Sequence, residues 1–208
     1  MPTEPGRVLA ADLAAVVRRR RTVRQFDPDR PVAEEVVDDL LDLGLRTPSA
    51  GNTGGVDLLC LTQPADRDHY WQLTAPTPTR WSTRMAAAPV LVLVWTSEQQ
   101  YRQRYARPDK GWPLDSTAWS APYWWVDAGM AVQTLLLAAT AAGLASAFVG
   151  VPPEHQSTVA DAFGVPADRS SVGLVAVGHP AAAGDVAVRR RAPRRRRRHR
   201  GRWDAPGQ

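Results

Sequence analysis

The sequence predicts an α+β fold with one main domain. Segments whose apolar residues recur at helical spacing outnumber the short apolar segments typical of strands, and the two kinds follow one another in mixed order rather than in regular alternation. A hydrophobic content of 44% over 208 residues is enough for a sizeable core. Together these observations indicate helices around a small sheet and argue against a disordered chain.

The first quarter of the chain contains two predicted helices separated by a break. Residues 8–20 carry apolar residues at helical spacing and end in cations, which suit a helix C-terminus. Two prolines within residues 22–31 end this helix. We expect the second helix to begin near Pro31 and to end with Gly44 as its C-cap. The loop 46–55, rich in turn formers, then leads into a strand expected at residues 56–62.

The remainder is organised around residues 89–96, the clearest strand, which is apolar on both faces and therefore expected at the centre of its sheet. Residues 63–87 are interpreted as irregular, apart from a short helix around residues 68–73. A long buried helix is expected at residues 127–142, with Gly143 closing it. Three further elements complete the order: an extended piece at residues 146–151, a helix at 153–163 and a strand at 171–177.

The net charge of +5 is unevenly distributed. Residues 189–202 hold ten Arg, whereas the rest of the chain, leaving out Asp204, has 16 basic and 20 acidic residues. We therefore divide the chain into a slightly acidic domain, residues 1–188, and an Arg-rich C-terminal extension, residues 189–208. Since Lys110 is the only lysine and alanines are abundant, the Arg content reflects base composition and is weak evidence for nucleic-acid binding.

Several kinds of site are excluded or disfavoured. The sequence has no GxGxxG or GxxxxGK[ST] phosphate loop and no GxSxG nucleophile motif. The four histidines are scattered without metal-ligand spacing, and the single cysteine, Cys60, rules out an intramolecular disulfide and lies in a predicted strand, a poor place for a nucleophile. We therefore expect no metal, and we nominate no catalytic side chain.

The segments that bear on location indicate a cytoplasmic protein without a membrane partner. The first residues lack the basic-then-apolar pattern of a signal peptide. The long apolar stretch 128–148 is interrupted by polar residues and is rich in Ala and Gly, which favours a helix buried in the core or at a subunit interface over a membrane span.

Three separated segments remain as candidates for chemistry. Residues 20–26 carry guanidinium groups and a hydroxyl that suit a phosphomonoester, although a solvated cationic helix end is the simpler explanation of this segment taken alone. Residues 48–52 form a loop of small residues that could bring backbone and amide donors to the edge of a flat ring, or could be an ordinary turn. Residues 127–150 are a core helix and the strand after it, whatever else they do.

In this order and spacing, RRTVRQF (20–26), TPSAGN (47–52) and DAGMAVQTLLLAATAAGLAS (127–146) resemble the motifs of the nitroreductase-like FMN oxidoreductases. A strand ending in GHP and a basic segment closing in HRGRW look like actinobacterial members of that family. The resemblance covers roughly residues 10–203. It implies a nitroreductase-like fold, with a central, mostly antiparallel sheet flanked by helices, in an intertwined homodimer that holds FMN between its subunits.

The resemblance also implies roles for individual residues. Arg20 and Thr22 would bind the FMN phosphate with Arg21 alongside, and Arg24 would reach the pyrimidine edge of the ring. The other implied FMN contacts are Pro48, Ser49 and Asn52 from the partner subunit, Phe148, Val149 and Gly150 along the isoalloxazine, and Arg189 and Arg191 returning to the phosphate. The sequence departs from the family at Thr53, Gly54 and Gly55, where Gln-Pro-Trp is usual, and this change would alter packing behind the flavin or loosen the loop.

The implied activity is NAD(P)H-driven, ping-pong transfer of hydride or electrons through flavin N5 to an electron-poor acceptor such as a nitro compound or a quinone. Aromatic residues in the segment 99–125 would either cover the flavin or pack in the core or dimer interface. One alternative is a flavin-dependent oxidase or dehydrogenase of a biosynthetic pathway. Another is a nucleic-acid-binding protein that uses the Arg-rich tail, but no RRM, KH or helix-turn-helix pattern supports it, and only nonspecific contact by the tail is expected.

Overall fold

The computed structural model describes residues 13–182, 199 and 201–203, which form seven α-helices and one four-stranded sheet. The helices are α1 (Leu13–Arg19), α2 (Glu34–Leu45), α3 (Pro64–Thr74), α4 (Arg80–Ala86), α5 (Glu98–Tyr105), α6 (Tyr123–Ala141) and α7 (Pro153–Ala162). The strands are β1 (Val56–Leu61), β2 (Val90–Thr96), β3 (Ala145–Val149) and β4 (Ser170–Gly178). The strand order is β1-β2-β4-β3 and every pairing is antiparallel, so the predicted α+β fold with an antiparallel sheet is confirmed.

Strand β2 lies inside the sheet, as its sequence predicts, and all seven of its residues are buried. Alternate side chains of a strand point to opposite faces. The valines of β2 accordingly pack with α2 and α6, whereas Leu91, Leu93 and Trp95 pack with residues of α3, α4 and α7. The sheet is thus covered by helices on both faces, and the long helix α6 fills much of one of them.

Helix α2 differs from its prediction at both ends. It begins at Glu34 rather than near Pro31, because Ala33 is still extended (φ −62°, ψ 143°) and Glu34 and Glu35 supply the acidic first turn that a helix N-terminus favours. It ends at Leu45 with Arg46 as C-cap, so the prediction that Gly44 caps the helix was wrong. Gly44 is a buried helical residue whose Cβ would lie 2.8 Å from Cδ2 of Leu135 in α6, and it allows the two helices to approach closely.

Two helices were not predicted, and α3 is longer than expected. Helix α4 has only seven residues and is specified by its cap, in which Thr79 and Ser82 each accept a hydrogen bond from the other's backbone N–H. Helix α5 has a polar sequence without an apolar stripe and is capped by Ser97. By contrast, Gly143 follows α6 with a φ of 75°, as expected of a residue that closes a helix, although α6 itself begins earlier than predicted, at Tyr123.

We expect Gly44→Val to lower the free energy of unfolding by about 1–3 kcal/mol, the usual cost of overpacking a filled core. The added side chain would overlap Leu135, which is itself buried. Leu45→Val, at the next and exposed position of the same helix, is the control and should change stability by less than about 0.5 kcal/mol. Urea unfolding of the variants measures both effects, and equal stability of Gly44→Val and wild type would contradict this packing.

Cys60 should react slowly with thiol reagents. It lies in β1, and burial, assisted by the charge of Asp38, raises the pKa of its thiol to about 11. Because the thiolate is the reactive form, maleimide labelling at pH 8 should be slower in the folded protein than in denaturant by on the order of 100-fold, and should accelerate as the pH rises. Similar rates in the folded and unfolded chain would show that the thiol is accessible and unperturbed.

Candidate functional site

The segment that follows α1 is hydrogen-bonded to the outer edge of the sheet. Strand β3 is an edge strand, and Thr22 forms a parallel bridge with Ser146 at its start. The backbone N–H of Val23 donates to the carbonyl oxygen of Ser146 at 3.0 Å. The side chains of Val23 and Phe26 pack into the core, Phe26 being only 2% exposed. These contacts anchor the segment and leave its polar side chains at the surface.

This segment carries side chains predicted to contact FMN: Arg20, Arg21 and Thr22 at the phosphate, and Arg24 at the pyrimidine edge of the ring. Thr22 and Arg24 are exposed and Arg20 is half-buried. Arg21 is also exposed, but its guanidinium donates to the carbonyl oxygens of Arg18 and Arg20, which have no further helical partner at the end of α1. Arg21 therefore serves partly as a helix cap, whereas Arg20, Thr22 and Arg24 present the donors of the segment.

The end of β3, beyond the bridge at Ser146, forms an open surface. Phe148 is 38% exposed, Val149 is half-buried and Gly150 is exposed. A Cβ added at Gly150 would meet no atom within 4 Å, so the space beside its backbone is free in the part of the chain that the structure describes. Ser146 and Gly150 are four residues apart, which is about 13 Å along a strand.

The position of Phe148 depends on a glycine in the neighbouring strand. Gly173 of β4 has a φ of 145°, a conformation that other residues rarely adopt, next to a register shift in the β2–β4 pairing. A Cβ at Gly173 would lie 2.6 Å from both the ring of Phe148 and the carbonyl oxygen of Val149. The absence of a side chain at Gly173 therefore allows the end of β3 to lie where it does.

The loop that contains Pro48, Ser49 and Asn52 is held by contacts other than those with the basic segment or the end of β3. Its hydrogen bonds run to α5 and α6: the N–H of Ala50 donates to Oδ2 of Asp127 at 2.7 Å, and Nε of Arg104 donates to the carbonyl oxygen of Gly51 at 2.8 Å. No hydrogen bond among the described residues joins the loop to residues 20–24 or 148–150. Within one chain, the third predicted segment, residues 127–150, thus contacts the other two at separate places: the loop at Asp127 and residues 20–26 at Ser146.

The loop is tightly held despite its departure from the family pattern. Gly51 and Asn52 both have positive φ, 65° and 53°, which their residue types tolerate. A Cβ at Gly51 would lie 2.7 Å from the ring of Tyr105, and one at Gly55 would lie 2.5 Å from the ring of Tyr101. Rings from α5 therefore pack against the loop where glycines leave room.

The aromatic residues of the segment 99–125 pack largely on one another. The ring of Trp119 lies 4.6 Å from that of Tyr105, 5.2 Å from that of Trp112 and 5.7 Å from that of Trp124, measured between ring centroids. Of the two interpretations of this segment, internal packing accounts for these four rings. Trp125, which is 41% exposed, remains available at the surface.

The sequence did not predict the side chains that hold the loop in place. Asp127 is only 2% exposed, and its Oδ2 also accepts a hydrogen bond from the hydroxyl of Tyr101 at 2.7 Å. Burial, followed by the hydrogen bond to Asp127, raises the pKa of Tyr101 well above its ordinary value, so this hydroxyl is a permanent donor. Asp127 stood at the start of a recognised motif, but Tyr101 lies in a helix that was not predicted.

Other kinds of site receive no support from the described residues. No group of three or more His, Cys, Asp or Glu residues in the part of the chain the structure describes could hold a metal. None of the helices described is long and apolar enough to cross a membrane. Arg189 and Arg191, the two further residues predicted at the phosphate, lie outside the described residues.

An antiparallel sheet between two helical layers, with a basic segment along its edge strand, defines the chain as an α+β domain. The chain belongs to the nitroreductase family, whose model matches residues 17–179, and it is an oxidoreductase. The resemblance inferred from the sequence motifs is thereby confirmed.

Individual relatives agree with this assignment. A protein of Methanothermobacter thermautotrophicus, provisionally named an NADH dehydrogenase/NAD(P)H nitroreductase, is 25% identical over 179 residues, which are 85% of this chain and 81% of that protein. The structure of B. megaterium NfrA2 has a TM-score of 0.73 at 19% identity and covers 93% of this chain and 76% of its own. A provisionally named nitroreductase of Desulfovibrio desulfuricans, solved in complex with FMN, has a TM-score of 0.61 at 27% identity over 82% of this chain and 87% of its own.

Proposed function

We propose that the protein is an FMN-dependent oxidoreductase that takes reducing equivalents from NAD(P)H and delivers them to an electron-poor aromatic acceptor, such as a nitro compound or a quinone. The observation that carries the proposal is the bridge between Thr22 and Ser146, because it joins the segment with Arg20, Thr22 and Arg24 to strand β3, at whose far end Phe148 is exposed. The FMN bound in the D. desulfuricans relative and the NAD(P)H in the name of the M. thermautotrophicus relative support the choice of cofactor and reductant.

The residues along the sheet edge fit both ends of FMN. Arg20 and Thr22 offer a guanidinium and a hydroxyl for the phosphate, and Arg21 adds charge from its place at the end of α1. Arg24 supplies a fixed positive charge that would favour the negative charge which the reduced ring carries at its pyrimidine edge. Arg189 and Arg191, at the start of the proposed extension 189–208, would complete the phosphate site.

The end of β3 fits the ring. Phe148 and Val149 provide apolar surface, and the unobstructed backbone at Gly150 allows a flat group to approach an N–H. Bound FMN supplies reversible hydride and electron transfer at N5. The chain's own residues would bind and orient the ring, and no side chain is needed as a proton donor.

We further propose that the enzyme is a homodimer in which α6 forms the contact. Val126, Met130, Gln133 and Leu137 recur at helical spacing, and all four are exposed or half-buried in the single chain, Val126 being 46% exposed. Neighbouring Ala131, in contrast, is fully buried within the chain and belongs to its core. A second copy lying on the stripe would cover it, and Pro48, Ser49 and Asn52 would then reach the partner's cofactor.

Arg20→Ala should weaken FMN binding by roughly 10–100-fold, the usual effect of losing a charged hydrogen-bonded contact. Riboflavin, which lacks the phosphate, should bind the wild type more weakly and respond little to the substitution. Arg30→Ala, which removes an exposed guanidinium outside the motif, is the control and should leave both affinities unchanged. Flavin fluorescence titration measures all of these, and equal losses for FMN and riboflavin would rule out a phosphate contact.

Gln133→Glu should raise the dissociation constant of the dimer by at least about 10-fold, because a carboxylate would be buried at the contact. Gln72→Glu makes the same change at an exposed position of α3 and should leave the dimer intact. Light scattering and flavin absorbance on one column would show dissociation together with loss of FMN. A wild-type monomer that carries stoichiometric FMN would be incompatible with a shared site.

A further inference from the structure

Asp127 is a buried carboxylate that the proposed chemistry does not use. Burying a carboxylate is costly unless hydrogen bonds satisfy it. Here a single oxygen, Oδ2, accepts from the hydroxyl of Tyr101 in α5 and from the backbone N–H of Ala50 in the loop, both at 2.7 Å. Tyr101 is fully buried. The carboxylate thus joins three pieces of chain, α5, α6 and the loop, at one atom.

The same side of α5 makes further contacts with the loop. Tyr101, Arg104 and Tyr105 follow the i, i+3, i+4 spacing that places residues on one face of a helix. Arg104 donates to the carbonyl oxygen of Gly51, and the two tyrosine rings pack beside Gly55 and Gly51. Beyond the loop, Oγ1 of Thr96 donates to the carbonyl oxygen of Gly55 at 3.0 Å.

We propose that Asp127 and Tyr101 are positioning residues that fix the loop 48–52 at the place where it contacts the flavin ring of the partner subunit. This inference rests on the proposed function, that is, on FMN binding and on the α6 dimer. Asp127 and the stripe formed by Val126, Met130, Gln133 and Leu137 belong to the same helix. Helix α6, which would contact the partner, therefore also fixes the position of the loop. Docking of two copies then brings each loop to the other's cofactor in a defined position.

A merely structural role for the pair predicts something different. If the hydrogen bonds only stabilise α5 and α6, removing one of them should lower stability without changing flavin affinity in the dimer that remains folded. A positioning role changes flavin affinity, and it does so equally for FMN and riboflavin, because the loop meets the ring and not the phosphate. That pattern is the opposite of the one expected for Arg20→Ala.

Tyr101→Phe is the first test, since it keeps the ring that packs beside Gly55 and removes only the hydroxyl. We expect the variant to remain a dimer and to bind FMN and riboflavin both about 5–10-fold more weakly, the scale of one hydrogen bond. Tyr70→Phe is the matched control: Tyr70 is 3% exposed and packs on the other face of the sheet, so its loss of a hydroxyl should leave flavin affinity unchanged.

Ala50→Pro tests the other hydrogen bond and does not depend on whether Tyr101→Phe folds. Proline removes the backbone N–H that donates to Asp127, and its fixed φ suits the first residue of a helical turn. The preceding Ser49 is already extended (φ −133°, ψ 146°), as a residue before proline requires. We expect this variant also to bind FMN and riboflavin about 5–10-fold more weakly than the wild type. Wild-type affinity in Ala50→Pro and in Tyr101→Phe would overturn the inference and leave the proposed function intact.

A mixed dimer shows whose flavin the loop serves. Chains carrying Arg20→Ala and Tyr101→Phe are co-expressed with different tags, and the heterodimer is purified through both. If each loop serves the partner, one site combines wild-type Arg20 with a wild-type loop and the other contains both defects, so FMN titration gives one site of wild-type affinity and one very weak site. Two sites of intermediate affinity would show that the loop serves its own chain and would overturn the inference.

A wild-type protein that binds no FMN at all would overturn the proposed function itself, before any variant is compared.

Discussion

The double-sided burial of β2 is the constraint on which the rest of the structure depends. A strand that is apolar on both faces is stable only if both faces are covered, and the chain therefore has to supply two helical layers. Helix α6 fulfils this on one side, packing its buried residues against the β2 valines and against α2 at Gly44. Strand β3 then follows α6 directly and joins the sheet beyond β4, which makes it an edge strand. The candidate site lies at that edge because the core is already filled elsewhere.

The sequence predicted some elements of this fold and missed others, depending on the kind of residue pattern that marks each element. Elements marked by burial were found: β2, β4 and most of α6 carry continuous or periodic apolar residues, which reflect their surroundings directly. Helices marked only by local hydrogen bonds were missed, namely α4, which begins with the Thr79 capping box, and polar α5. Gly44 was misinterpreted because a glycine that ends a helix and one that admits a neighbouring helix look the same in a single sequence. Only the tertiary contact with Leu135 separates the two.

The candidate site, like the fold, was predictable from the sequence in one part and not in another. The family resemblance implied that residues 20–26 and 148–150 bind one cofactor, and the backbone hydrogen bond from Val23 to Ser146 joins the first of these segments to the strand that leads to the second. The support of the loop at residues 48–52 was not predictable, because it comes from Tyr101 and Arg104, which are about 50 residues away along the chain and in an element without a periodic pattern. Long-range polar contacts of this kind leave little trace in one sequence, since each partner alone is an ordinary surface-type residue.

The pairing of residues 22–23 with β3 has a consequence for solubility. An edge strand presents unpaired backbone donors and acceptors that can recruit a strand from another molecule, and β3 consists of the small and apolar residues Ala145 to Val149. The cationic segment that lies against Ser146 covers part of this edge and surrounds it with positive charge, which discourages such association. Any ligand that holds the segment in place by its arginines therefore also shields the edge of the sheet. Where no such ligand is bound, the backbone contacts with Ser146 and the packing of Val23 and Phe26 keep the segment over this edge.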